Sequence, residues 1–430
     1  MKYPGFLDTI FSETKGYSQL RSILFDGVTG LPIIPLILDS LKDLANEQHR
    51  LGIVFIDTTR LEALEGTYGW EMMDRLLSQM RAFLDSIAFR YSPLQVLPVH
   101  RMTGDNFLLI FSSKDPVRPI SYDQISRISA ELQDSVNQFV ASSIDPTLQA
   151  FARAFTGHAV LEYNSNARFE RLLARAINQA FHVAVTREET TRQKQIEQLK
   201  DLVSEKQIRI LFQPIFHLQN VNDILGYEAL SRGPEGSLFE SAEFMFTLAS
   251  HSGMLDPLED LCQTRLIDTL QKRSDQTIVF VNLEPSFLEN HKYQDLALFK
   301  NPSVKRDNVV LEITERIAIN DYEVVSGALD SIRKMGYRIA VDDVGSGYAS
   351  LQSIAYLRPD FIKVNEKMVN GICDDFIKQE IVKTLRDLAS RFSASLIAEG
   401  IEDQDDLKML QELNVPYGQG YLFQRPSELL

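Results

Sequence analysis

Over its second half the chain repeats one pattern: a short apolar run of β-forming residues that stops at a charged or amide side chain, followed by a segment of helical spacing. ILFQPIF leads into GYEAL with Glu228, TIVFVN ends on Asn282, and NVVLEITE carries Glu312 and Glu315. RIAVDD ends on Asp342 and Asp343, DFIKVN carries Lys363, SLIAEGIE carries Glu399 and Glu402, and YGQGYLF carries Gln419. Segments such as Tyr322 to Met335 and Phe376 to Phe392 have helical periodicity between these runs. Strands alternating with helices over roughly 225 residues predict a (β/α)8 barrel, and polar side chains at successive strand ends put its chemistry on the C-terminal face.

The stretch that focuses this reading is RIAVDDVGSGYASL, Arg338 to Leu351. Two adjacent carboxylates at the end of a buried strand cost several kcal/mol unless a cation or a set of donors meets them. A divalent metal answers that need. The plainer alternative is a helix cap, with Gly345 and Gly347 making the turn. Seven polar strand ends of one barrel favour a shared site over seven unrelated caps.

A length of 430 residues predicts two or three domains, and 44% hydrophobic residues suffice for sizeable cores. With 59 Asp and Glu against 44 Lys and Arg, no basic stripe is available for direct nucleic-acid binding, so an anionic substrate needs local cations. Cys262 and Cys373 lack CxxC spacing and are expected as buried free thiols, and the seven histidines form no HExxH pattern, which leaves zinc hydrolysis unsupported. The longest apolar runs, such as LPIIPLIL, are short and broken by proline, so neither a membrane span nor a secretory signal is expected and the cytoplasm is the default compartment.

Residues 1–20 carry no strong pattern and are read as an N-terminal arm or helix. Residues 21–186 read as an α/β domain with a central sheet flanked by helices. DGVTGLP leads into a helix from Ile33 to Asn46, LGIVFID is a buried strand ending at Asp57, and Glu71 to Ile87 is helical. VHRMTGDNFLLIF reads as two strands joined by a hairpin at Thr103 to Asn106; helices at Ser121 to Ala141 and Ala167 to Val185 flank a strand near Gly157 to Tyr163. Residues 187–206 are charged, free of Gly and Pro, and carry a narrow apolar stripe of Ile196, Leu199 and Leu202, as a connecting helix would. Residues 207–430 form the barrel.

From Leu24 to Glu188 the chain resembles a GGDEF domain, the diguanylate cyclase module. DGVTGLP and LGIVFID match that family's opening and the strand that ends in its metal-binding Asp, here Asp57. The signature hairpin reads Thr103, Gly104, Asp105, Asn106, Phe107, the guanine-reading Asn falls on Glu65, and the second Asp of the metal pair is Thr59. An acceptor-only carboxylate cannot reproduce an amide's mixed edge, so these departures imply loss of cyclase activity. The resemblance leaves Asp57 and Asp105 as a vestigial Mg²⁺ and nucleotide site, for which a regulatory GTP site and an empty scaffold are the two readings.

From Gln207 onward the chain resembles an EAL domain, the cyclic di-GMP phosphodiesterase module. Glu228, Ala229, Leu230 and Arg232 stand as EALxR, DDVGSGYASL matches the family's DDFGTGYSSL, and EITE, EGIE and QGY follow in order. The resemblance implies Glu228, Asn282, Glu312 and Asp342 around one Mg²⁺ or Mn²⁺, and Asp342 with Asp343 on a second. It implies Lys363, Glu399 and Asp343 as catalytic, Gln213, Arg232 and Gln419 as substrate-binding, and Glu315 as anchor of the DD loop. It also implies a homodimer through the barrels. The family's Lys-Ile-Asp is Lys363, Val364, Asn365 here, which removes a charge beside the metals. Three readings stay open: hydrolysis of cyclic di-GMP to linear pGpG under control of an inactive GGDEF-like domain, a nonhydrolysing cyclic di-GMP receptor, and a pure interaction module.

Overall fold

A computed structural model describes residues 24–428 except 62–64, 66–69, 92–93, 101–105, 114, 116–117, 145–151, 273–276, 315–321 and 346–356. The chain divides into two compact units, Met1–Glu197 and Gln198–Leu430. The expected arm at 1–20, Asp105 and the tip of its hairpin, and Glu315 lie outside the described residues.

The first unit is built on an antiparallel sheet in the order β2-β3-β1-β4: β1 Arg50–Asp57, β2 Gln95–His100, β3 Phe107–Ser112 and β4 Phe155–Glu162. Alternation along each strand sorts its side chains into two cores. Leu51, Ile53, Phe55, Leu108 and Ile110 pack with helix α1 (Ile34–Gln48) and the first part of the long helix that follows β4. Val54, Ile56, Phe107, Leu109 and Phe111 pack with α2 (Trp70–Arg90) and α3 (Tyr122–Ser143) on the other face. The long helix, α4, runs unbroken from Phe169 to Ser204, 36 residues. It lies so close to β4 that a Cβ on Gly157 would stand 1.9 Å from the carbonyl oxygen of Ala180, so only glycine fits. The sequence reads this helix as two segments meeting near residue 186; the absence of Gly and Pro lets them run as one, and the boundary between the units falls inside it. Leu199 and Leu202 of the apolar stripe are buried.

The second unit is a closed barrel in the order β10-β11-β12-β5-β6-β7-β8-β9. Its strands are β5 Arg209–His217, β6 Asn220–Arg232, β7 Ile278–Asn282, β8 Val309–Thr314, β9 Arg338–Val344, β10 Phe361–Val364, β11 Ser395–Ala398 and β12 Tyr417–Gly418. Helices α5 (Ala242–Ser252), α6 (Leu255–Gln271), α7 (Tyr322–Lys334), α8 (Glu366–Val369), α9 (Phe376–Arg391) and α10 (Gln404–Glu412) occur in the connections. The barrel departs from an all-parallel one at β5, which pairs antiparallel with both β6 and β12. The cause is the tight connection between His217 and Asn220, which leaves no room for the crossover that parallel pairing demands. Ile215, Phe280, Val310, Ala340, Phe361 and Ile397 fill the barrel interior. Cys262 is buried as expected, but Cys373 is only half-buried because it sits on a short 3-10 turn, Ile372–Asp374, ahead of α9. Among the described residues, no helix is long and apolar enough to cross a membrane.

Candidate active site

The strand ends of the barrel bring most of the expected residues to one point. Lys363 on β10 is fully buried, and its Nζ lies 2.8 Å from Glu312 Oε1, 2.8 Å from Glu399 Oε1, 3.2 Å from Glu228 Oε2 and 3.5 Å from Asp342 Oδ1. Register explains the convergence: Asn282 pairs with Glu312 across β7 and β8, and Asp342 pairs with Thr314 across β8 and β9. Gln419, just past β12, donates from Nε2 to Glu228 Oε2 (2.6 Å) and Glu399 Oε1 (3.1 Å). Asn282 Nδ2 donates weakly to Glu228 Oε1 (3.4 Å) and Glu312 Oε2 (3.3 Å).

Four carboxylates around one ammonium leave an excess of negative charge in a buried place. Burial alone would drive the Lys363 proton off, but Asp342, Glu228, Glu312 and Glu399 outweigh it and hold its pKa well above the ordinary lysine value. Burial pushes Glu312 and Glu399 well above the carboxylate range, and pushes Asp342 up as well. Glu228 goes the other way, because Lys363 and the Gln419 amide overcome its burial.

Among the described residues, no group of three His, Cys, Asp or Glu side chains is arranged to hold a metal ion, and the Lys363 ammonium stands amid the carboxylates. The donor set nevertheless fits a hard cation. Its atoms are oxygens, and buried Glu312 Oε1 and Asp342 Oδ1 accept no hydrogen bond, since the approaches of Lys363 are ion pairs without hydrogen-bond angles.

Asp343 stands apart from this cluster. It has a left-handed backbone, φ +61°, and its Oδ1 accepts from Asn365 Nδ2 at 2.8 Å. Gln213 is buried on β5 opposite Glu228, but its side-chain amide donates to the carbonyl of Gln424 (3.2 Å). Arg232, at the end of β6, donates to the Ser231 carbonyl (2.9 Å) and lines a cavity of about 270 Å³ with Asn282, Glu259, Gln263 and Glu284. Sequence reasoning passed over Glu259. It sits on helix α6, where a charge in an amphipathic pattern reads as surface, yet it is buried and its carboxyl is pushed up to about 7 by desolvation.

In the first unit, Asp57 ends β1 as expected, and its Oδ1 accepts from the backbone N (3.0 Å) and Oγ1 (2.6 Å) of Thr59. Asn106 is buried and turns its Oδ1 to the backbone N of Thr58 (2.8 Å). Threonines thus engage both polar groups.

The family model of the EAL domain matches residues 196–426, and that of the "Diguanylate cyclase, GGDEF domain" matches residues 23–183. The chain belongs to the EAL domain family and carries a GGDEF domain ahead of the barrel. It is similar to the probable cyclic di-GMP phosphodiesterase PdeA of Escherichia coli, 37% identical over 151 residues that cover 35% of this chain and 21% of that protein. The probable cyclic di-GMP phosphodiesterase PdeG of the same organism is 29% identical over 236 residues, 53% of this chain and 46% of that one. The chain therefore spans less than half the length of either relative. In fold it is similar to the EAL domain of Xanthomonas citri FimX in complex with c-diGMP: TM-score 0.50, 20% identity, covering 56% of this chain and 96% of that one.

Proposed function

We propose that the protein opens cyclic di-GMP to linear pGpG in its barrel and that the GGDEF domain regulates this reaction without performing cyclase chemistry. The observation that carries the reading is the convergence of Glu228, Glu312, Asp342 and Glu399 on buried Lys363. Beside them lies a cavity lined by Arg232 and Asn282. Glu228, Asn282, Glu312 and Asp342 would hold one Mg²⁺ or Mn²⁺, and Asp342 with Asp343 a second. Bound there, the pair supplies acidification of a water and neutralisation of phosphoryl charge.

The chain's own residues do the rest. Lys363 and Glu399 flank the place of the attacking water; the new bond joins its oxygen to phosphorus, and its proton passes to Glu399 Oε1. The bond from phosphorus to the 3′ oxygen breaks, and that oxygen takes up the proton passed on from Glu399 and leaves as a hydroxyl. Arg232 offsets charge on the phosphoryl oxygens, and Gln419 holds Glu228 and Glu399 in register.

Thr59 on Asp57 and Thr58 on Asn106 support a GGDEF domain without cyclase chemistry, with GTP as a regulatory ligand where it binds. Helix α4 carries the chain without Gly or Pro from one unit into the other, which supports a regulatory connection rather than a loose linker. Phe376 and Ile377 on α9, 71% and 69% exposed, support a homodimer through the barrels.

A second reading, a receptor that binds cyclic di-GMP without turnover, is favoured by Asn365, which engages the Asp343 carboxylate with an amide. One experiment separates them: incubate the protein and its Asp342→Asn variant with cyclic di-GMP and Mg²⁺ or Mn²⁺ and follow pGpG by chromatography. The hydrolase reading requires pGpG from the wild type and none from the variant. Binding without pGpG selects the receptor, and neither binding nor product defeats both.

A further inference from the structure

Asp343 has a backbone that side chains with a Cβ seldom adopt, so something must hold it there. Among the described residues, Asn365 is one that does so. Its backbone N donates to the Val344 carbonyl (3.1 Å), its Nδ2 donates to Asp343 Oδ1 (2.8 Å), and its Oδ1 accepts from the backbone N of Lys367 (2.8 Å) as the cap of α8. Its carbonyl accepts from the backbone N of Met368 (3.0 Å), and Met368 Cγ lies 2.7 Å from where a Cβ on Gly345, φ +106°, would stand. Helix α8 and the aspartate turn are thus fastened through one side chain that must donate at one end and accept at the other. Because the Lys367 N–H can only donate, Oδ1 faces it, and the amide NH₂ is left for the carboxylate.

We propose that Asn365 is a positioning residue that keeps the Asp342–Asp343 turn formed whether or not a divalent cation is bound at Asp343, a role that rests on the phosphodiesterase reading of this site. An Asp at this position would cap α8 equally well. It would also face Asp343 with a second carboxylate, and the turn would then need a cation between the two. Neutral Asn365 removes that dependence. The catalytic turn waits in its working shape, at the expense of one charge for the second cation.

The test is amide hydrogen exchange on the full-length protein, first in EDTA and then with Mg²⁺ and no substrate. Asn365→Ser keeps an acceptor for the Lys367 N–H but cannot reach Asp343; Asn365→Asp keeps the cap and adds repulsion. In EDTA both variants should exchange roughly 10- to 100-fold faster than wild type from Asp343 to Gly345, as loss of a charge-assisted hydrogen bond predicts. Val341 and Ile362, inside the barrel strands, should be unchanged and report that the variants are folded. Mg²⁺ should restore protection to the Asn365→Asp variant and leave Asn365→Ser unprotected. Wild-type exchange in either variant in EDTA overturns the proposal, as does failure of Mg²⁺ to restore Asn365→Asp. Absence of pGpG formation by the wild type would count against the hydrolase reading alone and leave the EDTA result in place.

Discussion

Replacing Glu259 by Gln should make the barrel more stable at alkaline pH and leave it little changed near pH 5. The carboxyl is 4% exposed; desolvation raises its pKa from 4.5 to about 7, the Gln263 amide at 2.9 Å pulls it down, and Glu284 and Asp260 add to the rise. Between pH 4.5 and 7 the folded chain keeps a proton that the unfolded chain has released, so stability falls as pH rises through this window. Each tenfold change in proton affinity is worth about 1.4 kcal/mol, so by pH 8 the loss reaches about 3 kcal/mol. Glutamine has the shape of the protonated acid and does not titrate. The variant should therefore melt about 6 to 12 °C above wild type at pH 8, with the gap closing towards pH 5. Calorimetry in EDTA at constant ionic strength, at pH 5, 6, 7 and 8, reads this directly. A gap that does not change with pH would refute the reasoning, because the charge on Glu259 would then not be what burial penalises.

Lys363→Met should destabilise the metal-free protein by about 3 to 5 kcal/mol, because it strands buried carboxylates without their cation; a melting temperature within a degree of wild type in EDTA would show that the cluster is already neutral. Arg187→Ala removes donors to the Thr156 carbonyl (2.8 Å) and Oγ1 (2.8 Å) on β4. It should lower the stability of the first unit by about 1.5 to 3 kcal/mol and alter pGpG formation by the full-length protein; an unchanged rate would count against transmission through α4. Given GTP and Mg²⁺, the Asp342→Asn variant should accumulate no cyclic di-GMP; accumulation would restore cyclase chemistry to the GGDEF domain.

The barrel was legible in the sequence because buried strands announce themselves as apolar runs, and a polar side chain at the end of such a run has little to do but face a site. What escaped was decided by partners distant in sequence. The direction of β5 follows from the closeness of His217 and Asn220 in one hairpin, whereas the run ILFQPIF alone is compatible with either direction. Gln213 reads as a substrate group, but the amide is held by the carbonyl of Gln424 near the other end of the unit. Glu259 is invisible to periodicity, because what raises its pKa is burial, produced by residues far from it in sequence such as those of β6 and β7 that share its cavity. At residues 59 and 106 the sequence shows that the acidic pattern is broken; only geometry shows Thr59 engaging Asp57 and Thr58 engaging Asn106.

The two aspartates that focus the sequence are met from the same strand, by unequal means. Lys363 and Asn365 are two residues apart on β10 and at its end, so they lie on one side of the strand. Lys363 meets Asp342 with a full charge at 3.5 Å, and Asn365 meets Asp343 with an amide dipole at 2.8 Å. A buried charge pair is a stronger restraint than a hydrogen bond to a carboxylate at the edge of the cluster. Asp342 is thus met by a charge, whereas Asp343 is met by a dipole. A second cation at Asp343 would bind a preformed turn with one carboxylate fewer than an Asp at 365 would provide, and would leave more readily. On the hydrolase reading, that weaker position makes turnover sensitive to Mg²⁺ concentration, and Asn365→Asp should shift half-maximal activity to lower Mg²⁺.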